Sequence, residues 1–139
     1  MITIIRIIAG EKGIGNTKRI LDLANDTRST AKGSIVFIDN DEQYMFELHR
    51  EIRFIVASEY SIDGPKMFFG FISGLAAQDF DLEYVFIDGF TKIVDHPLDT
   101  LEALFEKLEA FAQKRGLNLV FSINHGAEGL PEFMKKYID

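Results

Sequence analysis

Residues 7–18 of the chain read Ile-Ile-Ala-Gly-Glu-Lys-Gly-Ile-Gly-Asn-Thr-Lys, the most informative segment of the sequence. An apolar run leads into a loop with three glycines, and a segment with helical periodicity follows the loop. Backbone N–H groups in such a loop, with the positive end of a helix behind them, bind anions. Glycine lets a phosphate approach the backbone closely. The stretch therefore predicts a strand, a phosphate-binding loop and a helix in succession.

Outward from this stretch, short apolar runs alternate with segments of helical periodicity. The runs are rich in Ile, Val and Phe, which is typical of strands that are covered on both faces of a parallel sheet. They comprise residues 2–9, 35–38, 52–57, 84–87 and 117–123. We expect one domain over residues 1–139, an α/β fold with three α/β/α layers and a mostly parallel sheet of about five strands.

The segments with helical features have recognisable ends. They run from Thr17 to about Asn25, from Asp41 to Arg50, from Asp63 to about Gln78, from Pro97 to about Arg115, and onward from Pro131. Asp63 is a predicted N-cap, and Asp99 and Glu102 have the spacing of a capping box. Gly116 is placed to end the helix that precedes it.

Composition and charge exclude several kinds of protein. The 139 residues include no cysteine, which excludes disulfides, thiolate zinc sites and a cysteine nucleophile. The net charge of −7 disfavours a general nucleic-acid-binding protein. Residues 1–34 nevertheless carry a net charge of +3, so an anionic ligand would be attracted to the glycine loop. The apolar N-terminal run is too short to span a bilayer and has no cleavage site, which predicts a cytoplasmic protein without a membrane partner.

The loop resembles the phosphate-binding loop of P-loop NTPases. Gly10-x-x-x-x-Gly15-Asn16-Thr17 has the Walker A spacing, except that Asn16 stands where the motif has lysine. The resemblance implies that ATP and Mg²⁺ are the ligands and that Thr17 contacts the metal. Asp88, after the apolar run 84–87, looks like the Walker B aspartate and is the second implied metal ligand. The implied nucleotide-binding residues are Gly10, Lys12, Gly13, Ile14, Gly15, Asn16, Thr17 and Lys18.

Within that superfamily the order of motifs resembles RecA-like ATP-binding proteins. Asp41 stands where that family tends to have its catalytic glutamate, and Glu59 is the alternative general base. Asp39, Asp41 and Glu42 also form an acidic cluster, which either begins a helix or binds a metal. Loss of the lysine should weaken nucleotide binding about 10- to 100-fold and slow hydrolysis about 10²- to 10³-fold. The resemblance therefore implies a nucleotide-binding protein, possessing a degenerate Walker A motif, with weak or absent ATPase activity.

Two alternatives belong to other functional classes. Gly13-Ile14-Gly15-Asn16-Thr17 also resembles the phosphate loop of flavodoxins, which would make FMN the cofactor. The chain also has 13 phenylalanines, some of which could form an apolar surface. A pseudo-NTPase would use such a surface to bind a protein partner or a second copy of itself.

Overall fold

The computed structural model describes residues 4–138 and contains one sheet of five parallel strands in the order β1-β5-β4-β2-β3. The strands in chain order are Ile5–Gly10, Ser34–Asp39, Arg53–Val56, Leu82–Ile87 and Asn118–Asn124. The expected five-stranded parallel sheet is therefore confirmed. The part of the first predicted strand that precedes Ile4 lies outside the described residues.

Helices cover both faces of this sheet. They are α1 (Asn16–Arg28), α2 (Gly64–Gln78), α3 (Phe90–Val94), α4 (Glu102–Arg115) and α5 (Glu132–Lys135). Single 3₁₀ turns occur at Met45–Glu47, Ala57–Tyr60, Leu98–Thr100 and Ala127–Gly129. None of the helices among residues 4–138 combines the length and the apolar character needed to cross a membrane.

Two hydrophobic cores give the fold its three layers. On one face, Ile20 and Leu21 of α1 pack against sheet residues such as Phe37. On the other face, α2, α3 and α4 enclose a larger core in which the Phe90 and Phe121 rings lie 5.1 Å apart. Burying each such side chain contributes roughly 1.5–3 kcal/mol, so the uniformly apolar strands stabilise both layers at once. The three-layer α/β/α architecture is confirmed.

The segment from Asp41 to Arg50 does not form the predicted α-helix. Only Met45–Glu47 adopts a 3₁₀ turn there. The Asp41 carboxylate accepts a hydrogen bond from the Gln43 N–H at 2.9 Å. A side chain that bonds its own backbone two residues on stabilises a turn in competition with a helix, which accounts for the error.

Helix ends also differ in detail from the predictions. Helix α4 begins at Glu102 instead of near Pro97, and its N-cap is Leu101, which makes no side-chain capping bond. The predicted capping box is therefore wrong. Asp63 does occupy the N-cap position of α2, but its side chain makes no capping hydrogen bond. Gly116 ends α4 with a φ of +67°, as predicted, because glycine adopts this conformation without steric cost.

Candidate functional site

A cleft of about 620 Å³ opens at the carboxyl edge of the sheet, where ligands bind in open α/β folds. Its size is in the range of small-molecule sites. One wall is the glycine loop with the start of α1, and the opposite wall consists of the segments that follow β2 and β4. Asn124, at the end of β5, lies between the two walls because β5 separates β1 from β4 in the sheet.

The first wall is built mainly from backbone. Gly13 and Gly15 have φ values of +94° and +96°, which L side chains rarely adopt. Gly15 precedes α1 as its N-cap and supplies no side-chain cap. The first N–H groups of a helix have no intrahelical partner, so this end of α1 carries unsatisfied donors and a partial positive charge. Gly15, Thr17 and Lys18 line the cleft and give it an anion-attracting wall.

Asn16 does not project into the cleft as the lysine analogy implies. Its side chain is only 3% exposed. Its Nδ2 lies 2.7 Å from the Gly10 carbonyl oxygen, 3.2 Å from Asn124 Oδ1 and 3.5 Å from the Ile123 carbonyl oxygen. The Oδ1 of Asn16 has no hydrogen-bond partner among the described residues. Asn16 therefore ties the start of α1 to the ends of β1 and β5, at the cost of an unsatisfied acceptor.

The opposite wall holds two buried carboxyl groups, Asp39 and Asp88, which we call the acidic pair. The two residues directly follow Ile38 and Ile87, which are partners in the parallel pairing of β2 with β4. Asp39 is 8% exposed and Asp88 is 5% exposed. The Asn40 N–H donates to the Asp39 carboxylate at 2.7 Å, and the Ser122 hydroxyl donates to Asp88. Two acids are thus fixed side by side at the base of the cleft.

Burial and, to a smaller extent, the negative charge of Asp88 raise the pKa of the Asp39 carboxyl to about 7. Both effects disfavour the ionised form of Asp39. A cation next to the pair would reverse them, because its field favours two ionised carboxylates. The acidic pair therefore has the electrostatic character of a divalent-cation site.

Sequence reasoning gave the acidic residues different roles from those that the geometry favours. Asp41 lines the cleft but is exposed at its rim. Glu59 lies in the turn after the edge strand β3, is exposed and is not among the lining residues. Asp39 was named only as part of an acidic cluster, although its position at a strand end beside the strand of Asp88 is what makes it a site residue. Only the strand order reveals that neighbourhood.

Most of the predicted nucleotide-binding residues lie in one place. Lys12, Gly13, Gly15, Asn16, Thr17 and Lys18 line the cleft together with Asp88. Gly10 and Ile14 do not line it, and Ile14 is 64% exposed. Within residues 4–138, no group of three or more His, Cys, Asp or Glu side chains could hold a metal ion. A metal at the acidic pair would therefore need oxygen ligands from Thr17, water or a bound phosphate.

No protein-family model matches the chain, and no curated protein is significantly similar to it. The geometry of the cleft and the order of the strands therefore carry the evidence on function. In the flavodoxin-like order 2-1-3-4-5, the first strand lies between the second and the third. Here β1 pairs with β5 and, through one bridge, with Ile138. The arrangement of the strands thus differs from that of flavodoxins.

Proposed function

We propose that the protein binds ATP–Mg²⁺ in this cleft and hydrolyses it slowly or not at all. One observation carries the proposal: an anion-attracting glycine loop and a buried acidic pair face each other across a single cleft. This is the arrangement that a polyphosphate with a divalent cation requires. A cytoplasmic location, where ATP and Mg²⁺ are available, agrees with the proposal.

The phosphates would be held by the backbone N–H groups of the loop and of the first turn of α1. An acidic or bulky side chain at the N-cap would compete with a phosphate for these amides, and Gly15 has no side chain. The basic charge of this wall comes from Lys12 and Lys18, which also line the cleft. The loop therefore retains phosphate-binding groups even though position 16 lacks a lysine.

The residues of the opposite wall fit Mg²⁺. This ion binds proteins through one or two carboxylates together with substrate phosphates, and seldom through an all-protein cage. Asp39, Asp88 and the Thr17 hydroxyl would hold it, and the ion would neutralise charge on the phosphates. The raised pKa of Asp39 supports this assignment, because it indicates a carboxyl group whose charge has no cationic partner in the described protein.

Slow turnover follows from the side chains near the loop. The Asn16 amide is engaged with carbonyl oxygens and is neutral, so it cannot stabilise charge that develops on a transferred phosphoryl group. Asp41 lines the cleft and is the candidate to orient an attacking water. Glu59 lies outside the cleft, so only its position in the sequence supports a role as general base.

Isothermal titration calorimetry tests this function directly. The protein is titrated with ATP in Mg²⁺, with ATP in EDTA, and with ADP and AMP in Mg²⁺. We expect a clear heat with ATP–Mg²⁺ and weaker binding in EDTA, since the acidic pair repels an unneutralised polyphosphate. Absence of heat at millimolar ATP–Mg²⁺ would refute the proposal. FMN is titrated in parallel, and a flavin absorbance spectrum of the purified protein would favour the flavodoxin-like alternative.

The interaction-module alternative has one observation in its favour. Phe46 and Phe80 are 91% and 90% exposed, although large apolar side chains usually avoid water. Phe46 lies in the sequence between Tyr44 and Glu47, both of which line the cleft. Sedimentation velocity over a range of concentrations, with and without ATP–Mg²⁺, measures self-association. Oligomers that form without nucleotide and disappear in Phe46→Ser or Phe80→Ser would favour this function.

A further inference from the structure

Because position 16 has no lysine, another side chain must contact the terminal phosphate of ATP. The identity of that side chain is inferred here on the basis of the proposed function. The lysines that line the cleft are Lys12, Lys18 and Lys92. The Lys18 ammonium is bound to the Asp22 carboxylate at 3.1 Å, one helical turn along α1. Asp22 also lines the cleft, so its carboxylate already offsets the Lys18 charge there. The ammonium groups of Lys12 and Lys92 make no hydrogen bond or ion pair with any other residue between 4 and 138.

Lys92 differs from Lys12 in the wall on which it lies and in the buried residues that hold its backbone. It lies on α3, directly after the Asp88-Gly89 turn, on the wall that holds the acidic pair. Its neighbours Phe90, Ile93 and Val94 are buried in the larger core, so the backbone that carries Lys92 is firmly held. Lys12 lies at the tip of the glycine loop, where no core residue anchors it.

The surroundings of Lys92 also favour an anionic ligand. The chain is acidic overall, and the same cleft contains Asp39, Asp41 and Asp88. The Lys92 ammonium nevertheless forms no ion pair with any of these three carboxylates. It is therefore available to a phosphate that enters between the two walls. The part of a nucleotide nearest this wall would be the end of its phosphate chain, because the opposite wall binds the rest through its amides.

We propose that Lys92 is the phosphate-binding lysine of this protein, which contacts the terminal phosphate of ATP from the wall opposite the glycine loop. A charged hydrogen bond of this kind changes affinity about 10- to 100-fold. The contact would exist with ATP and be absent with ADP. Lys92 would therefore set the preference for the triphosphate over the diphosphate.

The test compares Lys92→Met with Lys66→Met by calorimetry, with ATP–Mg²⁺ and ADP–Mg²⁺ as ligands. Lys66 is the matched control, because it is an exposed helical lysine without a described partner and lies outside the cleft. We expect Lys92→Met to weaken ATP binding about 10- to 100-fold and ADP binding less than about 3-fold, in the range of a screened long-range charge effect. Lys66→Met should change neither affinity beyond that smaller range. Circular dichroism and thermal melts verify that both variants fold.

The possible failures are distinguishable. If the unmodified protein binds no ATP–Mg²⁺, the proposed function fails and the role of Lys92 fails with it. If the unmodified protein binds ATP but Lys92→Met binds it equally well, only the role of Lys92 is refuted. Equal losses for ATP and ADP, or equal losses in Lys66→Met, would show a general effect of charge and would also refute it.

A double-mutant cycle with Asn16→Lys gives a second, independent readout. If Lys92 supplies the charge that position 16 lacks, the two lysines should partly replace each other. Asn16→Lys should then increase ATP affinity several-fold more in the Lys92→Met background than in the unmodified protein. Strictly additive effects would contradict the proposal, since they would show that the two positions act on the ligand independently.

Discussion

The two walls of the cleft differ in what they present to a ligand. The loop wall, residues 10–18, offers backbone amides, and its conformation depends on glycines with positive φ. The opposite wall, residues 39–41 and 88–92, offers charged side chains fixed at the ends of neighbouring strands. A substitution of a loop glycine should therefore act through backbone geometry, whereas a substitution of Asp39, Asp88 or Lys92 should act through charge. Glycine substitutions on the loop wall should change both stability and ligand binding, whereas charge substitutions on the opposite wall should change mainly ligand binding.

The largest expected effect comes from the acidic pair. Asp88→Asn removes a proposed Mg²⁺ ligand but preserves the shape of the side chain. ATP–Mg²⁺ affinity should fall about 100-fold or more, because even groups one step further from a metal contribute about 10- to 100-fold. The melting temperature should not fall, since the substitution also removes the repulsion between Asp88 and Asp39. Calorimetry and thermal melts measure the two effects.

The Mg²⁺ dependence provides the control for Asp88→Asn. In EDTA the variant should bind ATP no more weakly than the unmodified protein, because it has lost a charge that repels the metal-free polyphosphate. The matched substitution Asp63→Asn, at the start of α2 and outside the cleft, should leave binding unchanged in both buffers. A loss of affinity for Asp88→Asn that is as large in EDTA as in Mg²⁺ would exclude Asp88 as a metal ligand.

The next effect concerns position 16 on the loop wall. Three acceptor oxygens, on Gly10, Ile123 and Asn124, lie within 3.5 Å of the Asn16 amide nitrogen, which has only two hydrogens. Asn16→Lys would remove the unsatisfied Oδ1, and the longer lysine stem would carry the ammonium past these oxygens to the phosphate. We expect the variant to fold and to bind ATP–Mg²⁺ about 10- to 100-fold more tightly. Calorimetry measures the affinity, and phosphate release measures any hydrolysis that appears.

Other results for Asn16→Lys would separate the alternatives. A variant that folds without a gain for ATP, while FMN binding is lost, would favour the flavodoxin-like function. A variant that changes neither ligand would favour the interaction module. Asn16→Met is the control, because it has a stem similar to that of lysine without a charge. It should destabilise the loop, since it removes the donor to the Gly10 carbonyl oxygen and to Asn124 Oδ1.

Sequence reasoning predicted the sheet well because each strand is apolar on both faces, a local property of runs such as 35–38. It also placed Gly116 correctly at the end of a helix. It failed for residues 41–50, where a side-chain turn at Asp41 outweighs a weak helical pattern. Local patterns thus decide strong elements, whereas marginal ones depend on specific side-chain hydrogen bonds.

The candidate site was harder to predict than the fold. The glycine loop was evident, because its residues are contiguous in the sequence. The acidic pair was not, since Asp39 and Asp88 are neighbours only through the order of β2 and β4. No sequence pattern marked Lys92 as a site residue, because α3 is short and a single lysine in the sequence cannot be told from other exposed lysines. Contacts between distant segments require the topology, which periodicity alone does not provide.

The acidic pair also predicts how stability depends on pH. The Asp39 pKa is about 7 in the folded protein, against 3.8 for an unperturbed aspartate. Between about pH 4 and pH 7 the folded state therefore holds a proton that the unfolded state has released. The free energy of unfolding should fall as pH rises through this window, by at most about 1.4 kcal/mol per pH unit from this group. Urea unfolding at several pH values measures the slope.

Asp39→Asn isolates the contribution of that one carboxyl group. The variant cannot release the proton, so its curve of stability against pH should lack this fall and should lie above that of the unmodified protein near pH 7. Added Mg²⁺ should reduce the difference, because a bound cation favours the ionised pair. Parallel curves for the two proteins would contradict the raised pKa and weaken the case for a cation at the acidic pair.

The smallest expected effect comes from replacing a glycine of the loop wall by alanine. Gly70 is the control, because both glycines have open space for a Cβ but only Gly15 has a positive φ. A Cβ at Gly15 or at Gly70 would meet no atom within 4 Å, but Gly15 has a φ of +96° whereas Gly70 lies inside α2. Gly15→Ala should lower the free energy of unfolding by about 1–2 kcal/mol, the cost of a left-handed conformation with a Cβ. Gly70→Ala should raise it by about 0.5–1 kcal/mol, because alanine favours a helix interior.

Only Gly15→Ala should also weaken ATP–Mg²⁺ binding, since it alone displaces the amides of the loop wall. Changes of the same sign in the two variants would show that the loop is not held by backbone conformation, and the contrast between the two walls would then be lost.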